Sequence, residues 1–215
     1  VVRPRGVAQQ VRIIGGQWKR TPLAVIDADG LRPTPDRVRE TLFNWLGQDL
    51  SGWRCVDVFA GSGALGFEAA SRGAAAVRLI ERHPRVAAQL RAVKDKLEAR
   101  GVEVVEADGA RLLSSMAPGS ADLVFLDPPF DSSVLPSALL AASRVCAPLG
   151  QIYVEAPVPL APLPVKKKGP PSVTLDPASA LAQAWSTLTQ DGWEVSHQGV
   201  AGAVHYHLLQ RSTTT

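Results

Sequence analysis

From Trp53 onward, the 215-residue chain alternates short apolar runs with longer stretches of mixed polarity. RCVDVFA, AAVRLIE, VEVVEA, ADLVFLD and GQIYVEA read as strands, most of them rich in β-branched and aliphatic residues. Between them, GALGFEAASRG, PRVAAQLRAVKDKLEARG, GARLLSSM and SSVLPSALLAASRVC read as helices, the first ended by Gly73 and the second stopped by Gly101. Such alternation predicts an α/β fold, a parallel sheet with helices on both faces. Upstream, VRIIGGQWKRTPLAVI predicts two short β segments around Gly15-Gly16 and Thr21-Pro22. TPDRVRETLFNWLGQDL predicts a helix capped by Thr34, with Pro35 at its first position and Val38, Leu42, Trp45 and Leu46 at helical spacing. Residues 157–178 are Pro-rich and carry Lys166-Lys167-Lys168, which predicts a loop or partly disordered insertion. A helix over ASALAQAWSTL and a hairpin turning at Ala201-Gly202 complete the pattern.

Composition narrows the class. With 46% hydrophobic and 20% charged residues, the chain has the balance of a soluble globular protein with one sizeable core. No stretch approaches the ~20 apolar residues of a membrane span, and VVRPRGVAQQ has no apolar signal segment. Cys55 and Cys146 lack metal spacing and predict a reduced, cytoplasmic protein. Charge is uneven: residues 1–54 hold nine Lys/Arg against five Asp/Glu, whereas the remainder is nearly neutral. The first twenty residues contain Arg3, Arg5, Arg12, Lys19 and Arg20 and no acid. Such an arm suits phosphates, and it equally describes a solvated tail.

The candidate chemistry sits where strands end. In DVFAGSGALG, Gly61, Gly63 and Gly66 lie between a strand and a helix, where backbone can approach a ligand closely. The spacing serves NAD, FAD, a nucleoside cofactor, or a tight turn. Asp57, four residues before Gly61, disfavours a diphosphate and favours a cationic ligand such as S-adenosylmethionine. Glu81 ends the next strand, where a carboxylate can accept from ribose hydroxyls. Asp108 follows the third strand, placed to accept from an adenine amino group. Each acid alone also reads as a helix cap or a solvated charge.

The fourth strand runs into Asp127-Pro128-Pro129-Phe130. An exocyclic amine on a base is a poor nucleophile because its lone pair is delocalised. Asp127 and the Pro128 carbonyl can accept its two N–H bonds and aim the lone pair at a methyl group. The prolines hold that carbonyl, and Phe130 offers a face for an extruded base. His205 and His207 alternate on one strand face without partner ligands, which predicts sheet-face or surface residues and no metal site.

RIIGGQWKR, GLRPTPDRVRETLFNWL, DVFAGSGALGFEAASRGA, LIE, DLVFLDPPF, IYVE and VAGAVHYHLLQR together resemble the RsmD family, bacterial 16S rRNA (guanine-N2-)methyltransferases. The resemblance runs from Arg12 to Arg211 with a gap around 157–185. It implies a Rossmann-like seven-stranded class I methyltransferase sheet over residues 31–215, preceded by a basic arm and β-hairpin over 1–30. It implies S-adenosylmethionine held by Asp57, Phe59, Ala60, Gly61, Ser62, Gly63, Glu81, Asp108 and Gly109. Asp127 to Phe130 would receive a guanine of 16S rRNA in the small ribosomal subunit, with ribosomal proteins as further contacts and the enzyme itself a monomer. Arg12, Trp18, Lys19, Arg20, Arg32 and Arg37 would meet RNA phosphates, although Arg32 to Arg39 could instead lie near the cofactor's carboxylate. The rival readings are a DNA adenine amino-methyltransferase, disfavoured by Asp127 in place of Asn, and a non-catalytic RNA-binding assembly factor.

Overall fold

The computed structural model describes residues 11–23, 35–129, 133–161 and 175–212. Strands β3 (Arg54–Asp57), β4 (Ala76–Glu81), β5 (Val102–Glu106), β6 (Ala121–Leu126) and β7 (Cys146–Ala156) are parallel, in the spatial order β5-β4-β3-β6-β7. The hairpin of β8 (Trp193–Ala201) and β9 (Val204–Arg211) completes the seven-stranded sheet, with β9 antiparallel to β7 and β8 at the edge.

Period-two alternation sends successive side chains to opposite faces. On β6, Leu123 and Phe125 join one core with Leu42 and Phe43 of helix α1 (Asp36–Trp45), Leu65 and Phe67 of α2 (Ala64–Ser71), and Leu90 and Val93 of α3 (Pro84–Lys96). Val124 and Leu126 join the other, with Leu113 of α4 (Gly109–Ser115), Leu139 and Val145 of α5 (Leu135–Val145), and Leu188 of α6 (Ala180–Gln190). Both faces are therefore covered, as the apolar runs predicted.

The two-residue strands β1 (Val11–Arg12) and β2 (Pro22–Leu23) pair antiparallel. Val11, Ile13 and Leu23 are buried in the first core, so the hairpin is packed onto the domain. Its Gly15-Gly16 pair presses on the end of α2. A Cβ at Gly16 would lie 1.8 Å from the Ser71 carbonyl oxygen, and the residue adopts a φ of +72°. Only glycine fits there without strain.

Some boundaries differ from expectation. Helix α3 ends at Lys96, before Gly101, because Glu98 turns left-handed at φ 51°. The Gly101 carbonyl instead accepts from Val77 N–H at 2.8 Å. Pro35 is the cap of α1, which starts at Asp36; the expected cap Thr34 lies outside the described residues. Most of the Pro/Lys-rich insertion, residues 162–174, also lies outside them. His205 and His207 do share a sheet face, but they are buried, and Leu160 N–H donates to His207 Nε2 at 3.2 Å.

Candidate active site

Strand order reverses between β3 and β6, and in an open parallel sheet a crevice opens at that point, beyond the strands' carboxyl ends. The glycine turn leaves β3 there and Asp127 leaves β6. The two segments emerge side by side: Asp57 pairs in register with Phe125, and Val58 N–H donates to the Phe125 carbonyl at 3.2 Å. The glycine turn and the Asp-Pro-Pro corner thus share one sheet edge.

Gly61 and Gly63 have φ of 49° and 75°, which bends the chain from β3 into α2. Gly63 caps the helix without a side chain, and Asp57 supplies the missing acceptor: Gly66 N–H donates to its Oδ2 at 3.0 Å. Asp57 is 2% exposed, and burial pushes its pKa up to about 7, opposed by the Gly66 hydrogen bond and reinforced by the charge of Glu81. The carboxylate is therefore turned into the helix start. One amide that could have met a phosphate is already taken.

Glu81 ties the glycine turn to the next strand. Its Oε2 accepts from Gly61 N–H at 3.0 Å and its Oε1 from His83 N–H at 2.8 Å, while the side chain stays partly open to solvent. Ala60 N–H donates to the Ile80 carbonyl at 2.9 Å, so Phe59 to Gly63 cross over the end of β4. Phe59 and Ser62 are half-buried, Ala60 is buried. Asp108 is an exposed helix cap, accepting from Arg111 N–H at 2.8 Å. Gly109 is buried against the turn: a Cβ there would stand 2.0 Å from the Val58 carbonyl oxygen.

On the other side of the switch point, Asp127 is half-buried, Pro128 buried and Pro129 exposed; Phe130 lies outside the described residues. Behind Asp127 stand two residues of β7 that sequence reasoning did not single out. Tyr153 is fully buried, and its hydroxyl donates to Glu155 Oε1 at 2.7 Å. Burial, and then the charges of Glu155 and Asp127, hold the Tyr153 phenol well above its ordinary pKa. The available signal was positional, since Glu155 ends IYVE as Asp127 follows VFL.

The basic residues divide. Lys19, Arg20 and Arg37 are exposed. Arg12 is also exposed, with its Nε paired to Asp36 Oδ2 at 3.1 Å. Trp18 is half-buried against the first core, and Arg32 lies outside the described residues. Arg39 is wholly buried beneath the hairpin. It donates to Asp36 Oδ1 at 2.6 Å and to the Arg12 carbonyl at 2.9 Å, and lies 3.5 Å from Glu68 Oε2. Glu68 of α2 also accepts from Ile14 N–H and Gly15 N–H, each at 2.7 Å, and pairs with Arg72 at 2.8 Å. This ion cluster anchors the hairpin. Among the described residues no group of three or more His, Cys, Asp or Glu could hold a metal ion.

Residues 11–167 match the family model described as conserved hypothetical protein 95. Ribosomal RNA small subunit methyltransferase D of Escherichia coli strain K12 is 41% identical over 204 residues, covering 94% of this chain and 90% of that protein. The protein of the same name from Haemophilus influenzae is 35% identical over 206 residues, covering 94% of each. Among solved structures, yhhF of Escherichia coli superimposes with a TM-score of 0.72 at 37% identity, over 95% of this chain and 99% of that one. Sharing sequence at this level along nearly the whole length of its relatives, and the fold with it, this chain belongs to the ribosomal RNA small subunit methyltransferase D family, RsmD.

Proposed function

We propose that this protein transfers a methyl group from S-adenosylmethionine to the exocyclic N2 amine of a guanine in 16S rRNA of the small ribosomal subunit. The observation that carries the reading is the meeting of the glycine turn and the Asp127 corner at the switch point, within a chain whose relatives are named rRNA methyltransferases.

The residues present suit that cofactor. Asp57 occupies an amide at the start of α2, which argues against a diphosphate. Glu81, oriented by two backbone N–H groups and partly open, suits a pair of ribose hydroxyls. Asp108 and Gly109 would border the adenine, and Phe59 to Gly63 would line the remainder of the pocket. Bound there, S-adenosylmethionine supplies an electrophilic methyl carbon.

Asp127 and the Pro128 carbonyl accept the two N–H bonds of the guanine amine, which turns the nitrogen's lone pair out of conjugation and toward the methyl carbon. Orientation and electrostatics supply most of the acceleration. Once the new N–C bond forms, the surplus amine proton passes to Asp127 or to water. Phe130 would stack on the extruded base. Arg12, Lys19, Arg20, Arg32 and Arg37 would contact phosphates, with Trp18 supporting the hairpin that carries them.

The test uses small subunits from cells lacking the enzyme, labelled methyl donor and mass spectrometry of the RNA. Wild type should methylate one guanine at N2, and Asp127→Ala should abolish transfer while binding the cofactor nearly as before. Near-normal rates in the variant would remove Asp127 from the mechanism.

A further inference from the structure

We infer that Glu155 reads the base beside Asp127, accepting the ring N1–H of guanine while Asp127 accepts from the amine, and so sets the choice of base. The inference rests on the proposed guanine methylation and deepens it.

The argument starts from register. On the parallel strands β6 and β7, Phe125 lies beside Tyr153 and Leu126 beside Val154. The next step along both chains brings Asp127 beside Glu155, at a strand spacing of about 4.8 Å. Alternation sends both toward the face occupied by Phe125 and Tyr153. The buried Tyr153 phenol responds to the charges of both carboxylates, which agrees with that placement.

Glu155 is 5% exposed, and a carboxylate so buried needs hydrogen-bond compensation. Tyr153 provides one bond and fixes Oε1. An ionised carboxylate has about four acceptor sites, so one bond to Oε1 does not exhaust it. Its neighbour β9 places Tyr206 across from Glu155 in register, giving the carboxylate an aromatic wall on the side away from Asp127.

Two adjacent carboxylates present acceptors only. The guanine edge offers the complementary pattern, a ring N–H next to an amine. In adenine the ring nitrogen beside the amine is itself an acceptor and would face a carboxylate oxygen. A desolvated polar site that matches one donor pattern rejects its inverse strongly. A carboxylate at the end of β7 is therefore a specificity element for a donor-only edge, and its tyrosine partner is a positioning residue.

The experiment compares reconstituted small subunits carrying guanine or 2-aminopurine at the target position. 2-Aminopurine keeps the amine and replaces the ring N1–H with an unprotonated nitrogen. Wild type should favour guanine by roughly 10–100-fold in kcat/KM, the value of one hydrogen bond to a charged group. In Glu155→Gln the amide oxygen can retain the Tyr153 bond while the NH2 group turns to the base. Guanine should then lose roughly 10–100-fold in kcat/KM and 2-aminopurine should gain on it, so that the preference shrinks or reverses. A wild type that does not discriminate, or a variant that slows both bases equally, overturns the role of Glu155. Should Glu155→Gln fail to fold, Tyr153→Phe carries the test: releasing Oε1 should narrow the preference, and an unchanged ratio overturns the inference. Wild-type protein that methylates neither base would instead overturn the proposed function.

Discussion

Replacing Glu68 with alanine should detach the N-terminal hairpin and lower the stability of the domain by about 4 kcal/mol. The figure follows from what the carboxylate holds. Its side chain is 0% exposed and accepts two backbone N–H groups, from Ile14 and Gly15, both at 2.7 Å. It also compensates two guanidinium groups, Arg39 at 0% side-chain exposure and Arg72 at 6%. Removing one partner of a buried ion pair costs about 3–5 kcal/mol because the other charge is left uncompensated. The two amide bonds share that loss, since contacts within one network do not add. With a urea m-value of about 2–3 kcal/mol per molar, the unfolding midpoint should fall by roughly 1–2 M. Hydrogen exchange then locates the damage: the amides of Ile14, Gly15, Gln17 and Trp18, which donate to Glu68 and Ser71, should lose protection first. Glu68→Gln, which keeps the volume and one acceptor, should fall between. A midpoint within roughly 0.3 M of wild type, with exchange at Ile14 and Gly15 unchanged, would refute the anchoring argument.

Two further outcomes are expected. Burial raises Asp57 from 3.8 to about 7, so between those values the folded protein holds a proton that the unfolded chain has released, and stability falls as pH rises through that window. Asp57→Asn keeps an acceptor for Gly66 and removes the titration; wild type should lose up to about 4 kcal/mol relative to the variant between pH 4 and 8 in urea melts, and parallel curves would dismiss the buried acid as the cause. Replacing Arg12, Lys19 and Arg20 together with alanine should raise KM for small-subunit RNA and flatten its salt dependence by roughly 0.7–0.9 in log–log slope per lost phosphate contact. An unaltered slope would reduce these side chains to solvated charge.

The parts of the site that sequence made visible are those governed by local rules. Apolar runs ending in Glu81 or running on to Asp127 announce buried strands that reach a polar edge, and glycines at a strand-to-helix junction announce a tight turn. What stayed hidden depends on partners far apart in the chain. Glu68 sits 54 residues from Ile14, and nothing within ALGFEAAS shows that its glutamate faces two arginines and a hairpin. Asp57 read as a group facing a ligand because position alone does not give side-chain direction; its carboxylate turns instead to Gly66 of the same turn. Asp108 was left between cap and ligand acceptor, and the bond from Arg111 establishes the cap without using the second oxygen. Helix α3 stopped short of Gly101 because a non-glycine residue, Glu98, adopted the left-handed conformation for which glycine is the usual marker.

The seating of Gly15 and Gly16 on the end of α2 bears on any attempt to re-target this scaffold. A Cβ at Gly15 would fall 2.3 Å from the Arg72 guanidinium, and Ser71 meets the same segment through its hydroxyl and its carbonyl. Residues 11–23 are therefore no detachable cassette. A chimera that imports another protein's arm must import the outer side of α2 with it, and since that helix begins at the glycine turn, the graft carries one wall of the cofactor pocket along.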